Sequence, residues 1–111
     1  MRSHNIVAPF RVEVHREGDS VRVAPAGELD LATADTLQAR LHELRDENVR
    51  EIVLDLREID CLDSIGMKLI LNEDRFARRN ARIFSLIAGP PAVQRVLEIC
   101  GLADRLRFRN A

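Results

Sequence analysis

The sequence predicts an α/β fold in which helices pack on a mixed β-sheet, with the element order β-β-α-β-α-β-α-β. Two hydrophobic periods support this prediction. Apolar residues in every second position or in short runs indicate strands, and apolar residues spaced by three and four indicate helices. Strand-helix-strand units require parallel neighbours joined by right-handed crossovers. With 111 residues the chain is long enough for one hydrophobic core, so we expect a single domain over residues 1–111.

The first two strands are predicted to form a β-hairpin around the polar residues 17–19. Pro25 has no backbone N–H, so we expect the second strand to fray, to bulge or to leave one edge unpaired at this residue. The apolar residues that alternate with polar ones are Phe10, Val12 and Val14 in the first strand and Val21 and Val23 in the second.

Two predicted helices follow, separated by a buried strand. Thr33 is predicted to cap the first helix and Asp63 the second, because short polar side chains accept hydrogen bonds from the amides at a helix start. The apolar run from Ile52 to Leu54 fits a strand that is covered on both faces. The residues predicted to point inward are Ala34, Leu37, Leu41 and Leu44 in the first helix and Ile65, Leu69, Ile70 and Phe76 in the second.

The last part of the chain supplies a strand, a third helix and a short final strand. The strand runs from Ile83 to Ile87, and a proline at the first helical position begins the helix. Gly101 is predicted to end that helix in a Schellman motif with Leu102. The inner face of the helix is predicted to carry Val93, Val96, Leu97 and Cys100, and Leu106 and Phe108 belong to the final strand.

Residues 51–71 are predicted to contain the functional centre. They comprise the buried strand, a short acidic crossing and the start of the second helix. Asp63 ends the crossing, and Ser64 lies in the first helical turn. Because amides without partners and the positive end of the helix dipole are found there, negative charge on Ser64 would be tolerated.

Composition limits the classes of function. The 17 basic and 18 acidic side chains give a net charge of −1, which provides no general attraction to nucleic acid or to an anionic membrane. Residues 1–9 lack the pattern of a signal peptide, and no apolar run reaches the roughly 20 residues of a membrane span, so we expect a cytoplasmic protein. Cys61 and Cys100 are isolated in the sequence and are expected to be small buried side chains.

No motif of an enzyme or of a cofactor site is present. His4, His15 and His42 have no metal-ligand spacing, and neither glycine motif for phosphate binding occurs. Ser64 has only Asp63 beside it, which is a poor base for activating a nucleophile. We therefore predict no catalytic residue, no metal and no cofactor. A hydrolase that uses Ser64 is the remaining enzymatic alternative.

Four segments are informative when they are taken together and in order. They are Gly27-Glu28-Leu29-Asp30, the strand from Ile52 to Leu56, Leu62-Asp63-Ser64-Ile65-Gly66, and Pro91-Ala92-Val93 through Gly101-Leu102. In this order they resemble the STAS domain of bacterial anti-sigma factor antagonists. The resemblance spans nearly the whole chain, so residues 1–111 are expected to form one STAS domain.

The resemblance implies a regulatory binding protein rather than an enzyme. In that family the antagonist binds an anti-sigma factor that is also a serine kinase, and thereby frees a sigma factor. The kinase phosphorylates the serine after the motif aspartate, here Ser64, and a PP2C-type phosphatase reverses this. The implied partner-binding surface consists of Asp30, Asp63, Ser64, Ile65, Gly66, Met67 and Lys68. The resemblance leaves open whether the chain also forms a homodimer.

Three departures from the family pattern bear on the choice of partner. The family often has Ser or Thr where this chain has Ile65, so Ser64 is the single candidate hydroxyl in the motif. It often has a small residue where this chain has Lys68, and it usually has a helix after the last strand. The alternative function is that of an accessory subunit of a membrane transporter or of a stress-signalling assembly, which would use the fold without phosphorylation.

Two side chains near Ser64 carry specific expectations. Asp30 ends a strand at the same edge of the sheet as the Ser64 turn, so we expect it to serve recognition and we expect Asp30→Ala to fold normally. Lys68 is four residues after Ser64, which makes the two side chains neighbours on a helix. Its ammonium group either pairs with a phosphate on Ser64 or is an ordinary solvated lysine side chain, and the sequence leaves both interpretations open.

Overall fold

The computed structural model describes residues 9–111, which form a six-stranded sheet and three helices. His4 and most of the segment considered as a signal peptide lie outside these residues. The α/β prediction is confirmed, and one strand, β4, occupies residues that the sequence predicts as an acidic crossing. In chain order the elements are β1 (Arg11–Glu17), β2 (Ser20–Leu29), α1 (Ala34–Arg45), β3 (Glu51–Asp55), β4 (Ile59–Leu62), α2 (Ser64–Arg79), β5 (Ile83–Ile87), α3 (Pro91–Ile99) and β6 (Phe108–Arg109).

The sheet has the strand order β1-β2-β3-β5-β6, and β4 pairs with β2. β1 and β2 form the predicted antiparallel hairpin, and every other pairing is parallel. Each helical crossover moves the chain in the same direction across the sheet, so right-handed crossovers place α1, α2 and α3 on one face. The parallel strands end where the helices begin, and we call this edge of the sheet the carboxyl edge.

β2 changes its parallel partner around Pro25. Residues 20–23 pair with β3, whereas Gly27 to Leu29 pair with β4. Pro25 lies between these two sets, where its missing N–H deprives no parallel neighbour of a hydrogen bond. The predicted unpaired edge is therefore confirmed on this side of β2, and β4 covers the edge of β2 beyond the end of β3.

The hydrophobic core lies between the helices and one face of the sheet. Strand residues alternate between this core and the opposite face, as the period of a strand requires. Within residues 9–111 no helix covers that opposite face. The strand residues of the core include Val21, Val23, Ile52, Leu54, Phe84 and Leu86, and they alternate with Arg22, Val53, Asp55 and Ser85.

Several side chains predicted to be buried lie at the surface. Ile65 is 38% exposed because the next residue on the helix, Gly66, faces the core instead. Cys61 is exposed because the pairing of β2 with β4 shifts register between Gly27 and Glu28, which places Cys61 opposite exposed Glu28. Cys100 is also exposed, since it lies at the C-cap of α3 rather than on its inner face.

Phe76, which the helical period predicts to point inward, is half-buried. The guanidinium carbon of Arg45 lies 3.9 Å from the centroid of its ring, and that of Arg82 lies 5.9 Å away. Cationic side chains are attracted to aromatic faces. Two arginines from outside α2 therefore form part of the cover of this ring.

Two helices end in the same backbone geometry. Gly101 has a φ of +74°, and the Leu102 amide donates to the Leu97 carbonyl oxygen at 2.9 Å, so the predicted Schellman motif of α3 is confirmed. At the end of α2 the equivalent bond from Arg82 to Ala77 is also 2.9 Å. There the left-handed residue is Ala81, with a φ of 55°.

Candidate functional site

Two turns meet at the carboxyl edge of the sheet. The first follows β2 and contains Asp30, and the second joins β4 to α2 and contains Asp63 and Ser64. β2 and β4 pair as far as Leu29 and Leu62. The Asp63 amide then donates a hydrogen bond to the Leu29 carbonyl oxygen at 3.2 Å. The backbone therefore holds the two turns side by side.

Asp63 caps α2 with its carboxylate. Its Oδ1 atom accepts hydrogen bonds from the amides of Ile65 at 2.9 Å and Gly66 at 3.0 Å. Its backbone carbonyl oxygen accepts from the Met67 amide at 3.0 Å. The predicted N-cap is confirmed, and this side chain binds two of the amides that a helix start leaves without partners.

Ser64 is the first residue of α2, and it is exposed. Because the Asp63 carboxylate binds the amides of Ile65 and Gly66, the helix start does not depend on the Ser64 hydroxyl. Within the described part of the chain, that hydroxyl makes no side-chain hydrogen bond. It therefore stands on the surface at the positive end of the helix dipole.

Asp30 has a structural role in the turn before α1. Its Oδ1 atom accepts hydrogen bonds from the amides of Ala32 at 2.9 Å and Thr33 at 3.2 Å. Thr33 occupies the predicted N-cap position of α1, but its side chain makes no capping bond and its hydroxyl donates to the Glu28 carbonyl oxygen at 2.6 Å. The Asp30 carboxylate thus holds the turn before α1, and Thr33 ties that turn to β2.

The other predicted contact residues differ in exposure. Ile65 and Lys68 are exposed, whereas Met67 is half-buried and packs against the core. Gly66 is buried, and a Cβ atom there would lie 2.6 Å from the Leu62 side chain and 3.0 Å from a carbonyl oxygen of β2. Glycine at this position lets the first turn of α2 lie directly on the end of β2, so Gly66 contributes to the site by positioning it.

One exposed apolar residue of this edge is absent from the predicted surface. Leu31 follows Asp30 and is 75% exposed. Its spacing of three residues from buried Ala34 fits the helical period of α1, so periodicity alone assigns it to the inner face. The signal that points the other way is Asp30, which favours a turn before the helix begins.

Carboxylates dominate the charge of the two turns and their flanks. Residues 28–36 and 60–68, which form the two turns and the helix starts beside them, contain five acidic side chains and one basic side chain, Lys68. The two turns therefore carry a net negative charge without any modification. The five acidic residues are Glu28, Asp30, Asp35, Asp60 and Asp63.

A separate ion cluster lies at the end of β3, on the face of the sheet opposite the helices. The buried carboxylate of Asp55 accepts hydrogen bonds from the Arg57 guanidinium at 2.8 and 3.0 Å, from the Arg57 amide at 3.0 Å and from Arg22 at 3.2 Å. Burial alone would raise the pKa of Asp55, but these hydrogen bonds and the charges of Arg57 and Arg22 hold its pKa below the usual value. The cluster borders a cavity of about 310 Å³ and ties β3 to β2.

Residues 9–111 contain no group of three or more His, Cys, Asp or Glu side chains that could hold a metal ion. None of the helices in this range is both long and apolar enough to cross a membrane. At the carboxyl edge these residues offer an exposed hydroxyl, several carboxylates and two apolar side chains, Leu31 and Ile65.

Comparison with known protein sequences agrees with this architecture. The family model described as the STAS domain matches residues 11–111. The anti-sigma-B factor antagonist of Staphylococcus aureus strain NCTC 8325 is 26% identical over 101 residues, which cover 91% of this chain and 94% of the relative. The protein of the same name from Staphylococcus epidermidis is 25% identical with the same coverage.

Solved structures share the fold. An anti-sigma factor antagonist from Mycobacterium paratuberculosis has a TM-score of 0.83 and 21% identity, and the match covers 93% of this chain and 87% of that one. The Bacillus cell fate determinant SpoIIAA in its phosphorylated form has a TM-score of 0.71 and 22% identity, with 93% and 91% covered. At these identities the likeness shows a common architecture.

Proposed function

This chain belongs to the STAS domain family, and we propose that it is an anti-sigma factor antagonist. As a single STAS domain in the cytoplasm, it binds an anti-sigma factor that is also a serine kinase and releases a sigma factor. Phosphorylation of Ser64 switches this binding off, a PP2C-type phosphatase restores it, and the chain itself catalyses no reaction. The match to the staphylococcal anti-sigma-B factor antagonists over nearly their whole length supports the proposal.

The separate roles of Asp63 and Ser64 carry the proposal. Serine at a helix start commonly serves as the cap, which would explain its presence without any regulation. Here the Asp63 carboxylate binds the amides of Ile65 and Gly66, and the Ser64 hydroxyl is left exposed. A kinase can therefore reach this hydroxyl without unwinding the helix.

Phosphorylation would change the charge of the surface more than the fold. A phosphate adds about −1.5 to −2 charges, and it would join two turns that already carry a net negative charge. Since Asp63 already occupies two of the helix-start amides, the phosphate stays at the surface and leaves the cap in place. A partner that covers the neutral hydroxyl would then have to desolvate this charge, which weakens binding by several kcal/mol.

Exposure divides the proposed surface into contact and positioning residues. Lys68, one helical turn after Ser64, would pair with the phosphate, and an exposed pair contributes about 0.5 kcal/mol. We therefore expect Lys68 to affect the rate of dephosphorylation more than binding. Gly66 positions the helix. The proposed contact residues are Asp30, Asp63, Ser64, Ile65, Met67 and Lys68.

The test uses the anti-sigma kinase that co-purifies with the wild-type chain. Incubation with this kinase and ATP, followed by mass spectrometry, should place one phosphate on Ser64. Ser64→Ala should bind the kinase and accept no phosphate, whereas Ser64→Asp should bind at least about tenfold more weakly with an unchanged circular dichroism spectrum.

Thr36 provides a matched control, because it is an exposed hydroxyl in the first turn of another helix, α1. Thr36→Ala should be phosphorylated and should bind as the wild type does. A phosphate that is absent, or that lies on a residue other than Ser64, contradicts the switch. Equal binding by Ser64→Ala, Ser64→Asp and the wild type would favour the accessory-subunit alternative.

A further inference from the structure

We propose that Leu31 and Ile65 are apolar anchors that fit this chain to an apolar pocket with a basic rim on its anti-sigma partner. The inference rests on the proposed function and specifies the chemistry of the partner. Within residues 9–111 the exposed large apolar side chains are Leu31 at 75%, Ile99 at 74% and Ile65 at 38%. Two of these three lie at the carboxyl edge, beside Ser64.

Both anchors are close to the hydrogen bond between the Asp63 amide and the Leu29 carbonyl oxygen. Leu31 is two residues from Leu29, and Ile65 is two residues from Asp63. Two residues of chain span at most about 7 Å, so both anchors lie within that reach of the bonded backbone. Ser64 lies between Asp63 and Ile65. A partner that covers the Ser64 hydroxyl is therefore in position to cover both apolar side chains.

The exposure of the anchors is fixed by hydrogen bonds of neighbouring residues. Leu31 lies inside the turn that the Asp30 carboxylate closes through the amides of Ala32 and Thr33. Ile65 lies in the helical turn that the Asp63 carboxylate caps, next to buried Gly66. Residues held in this way lose little freedom on binding, which favours affinity.

The negative charge of the residues near the anchors predicts that the rim of the partner's pocket is basic. The two turns that carry the apolar pair, with the helix starts beside them, contain five carboxylates and one ammonium group. Lysine and arginine side chains on the partner would complement this field, whereas nucleic acid and anionic lipid would be repelled by it. A partner protein with a basic rim is thus the occupant that this surface fits.

The experiment measures the Kd of the co-purified anti-sigma kinase for the wild type and for single variants. Leu31→Ala should raise the Kd about tenfold, because alanine lacks most of the apolar area that Leu31 would bury in the complex. Ile65→Ala should raise it about threefold, because that side chain offers less exposed area. Leu31→Met keeps the apolar volume and should bind within about threefold of the wild type.

Ile99→Ala is the matched control. Ile99 is as exposed as Leu31, but it is the last residue of α3, about 12 Å along the helix axis from the start of that helix at the carboxyl edge. This variant should bind within about twofold of the wild type, since its side chain lies outside the proposed interface. Higher salt should raise the Kd of the wild type and of Leu31→Ala by the same factor, because the carboxylates are intact in both.

The outcomes separate the inference from the function on which it rests. If the wild type binds the kinase and Leu31→Ala binds equally well, Leu31 is not an anchor. The proposed antagonist function would be unaffected by this result. A loss for Leu31→Met as large as that for Leu31→Ala would also contradict an apolar pocket. If the wild type binds no anti-sigma kinase, the proposed function fails and the inference fails with it.

Discussion

The amide of Asp63 donates a hydrogen bond to the carbonyl oxygen of Leu29 across 3.2 Å, and this bond joins the two turns of the site. Gly66 makes the approach possible. A Cβ atom at position 66 would lie 3.0 Å from the same carbonyl oxygen and 2.6 Å from the Leu62 side chain. The relative position of the Asp30 and Ser64 turns therefore depends on the absence of a side chain at residue 66.

Gly66→Ala should lower the free energy of unfolding by about 1–3 kcal/mol, the usual cost of overpacking a core. In an open helical position the same change normally stabilises by about 1 kcal/mol. Ala39 in α1 is exposed and provides the comparison, because Ala39→Gly should lower stability by about 1 kcal/mol. Urea denaturation measures both variants, and a gain in stability for Gly66→Ala would refute the close packing.

Asp30→Asn and Asp30→Ala separate charge from hydrogen bonding. Asparagine keeps an oxygen that can accept from the amides of Ala32 and Thr33, so its free energy of unfolding should stay within about 0.5 kcal/mol of the wild type. Alanine removes the acceptor and should lower the free energy of unfolding by about 1 kcal/mol, a loss with which the chain still folds.

If the charge of Asp30 serves recognition, both Asp30 variants should lose the same factor in affinity for the anti-sigma kinase. Thermal denaturation and a binding titration on the same samples distinguish the two roles. Identical stabilities of the asparagine and alanine variants would rule out the structural role of the carboxylate.

Acid should destabilise the protein partly through Asp55. The pKa of this carboxyl is lowered in the folded chain. Its contribution to stability is therefore complete above the unfolded pKa of about 3.9 and is lost as the pH falls through the lower folded pKa. Between about pH 5 and pH 3 the urea midpoint of Asp55→Asn should fall less than that of the wild type. Arg57→Ala should likewise reduce the fall of the urea midpoint between these pH values. If both variants lose as much as the wild type does, the cluster is not a source of acid sensitivity.

Ala81→Gly should stabilise the protein by about 0.5–1 kcal/mol. Ala81 has a φ of 55° at the end of α2, a left-handed conformation that is unfavourable for residues with a Cβ atom. Glycine adopts it freely, so the melting temperature should rise by a few degrees. Ala81→Val should lower the melting temperature, and a lower value for the glycine variant would contradict the assigned backbone conformation.

The sequence predicts those features that depend on neighbouring residues. The Asp63 cap and the Gly101 ending of α3 each involve bonds within about one helical turn, so local composition is sufficient to identify them. The same reasoning identifies the hairpin and the position of Ser64 at a helix start.

Features that depend on distant segments were missed. β4 has only four residues, and exposed Asp60 and Cys61 separate its two buried ones, so it carries no clear strand period. Its pairing partner becomes available because Pro25 and the end of β3 leave an edge of β2 open. The exposure of Ile65 likewise depends on the close contact of Gly66 with β2, which no local pattern reveals.

The change of partner in β2 gives the molecule two hydrogen-bond ladders of unequal size. The longer one joins β3 to the first half of β2 and to β5, and the shorter one joins β4 to the end of β2. A short ladder can open locally at a lower free energy than the whole domain. In native-state hydrogen exchange, the amides of β4 should therefore exchange sooner than those of Val53 and Leu54. Both turns of the site flank this shorter ladder, so the Ser64 surface would loosen while the rest of the domain stays folded.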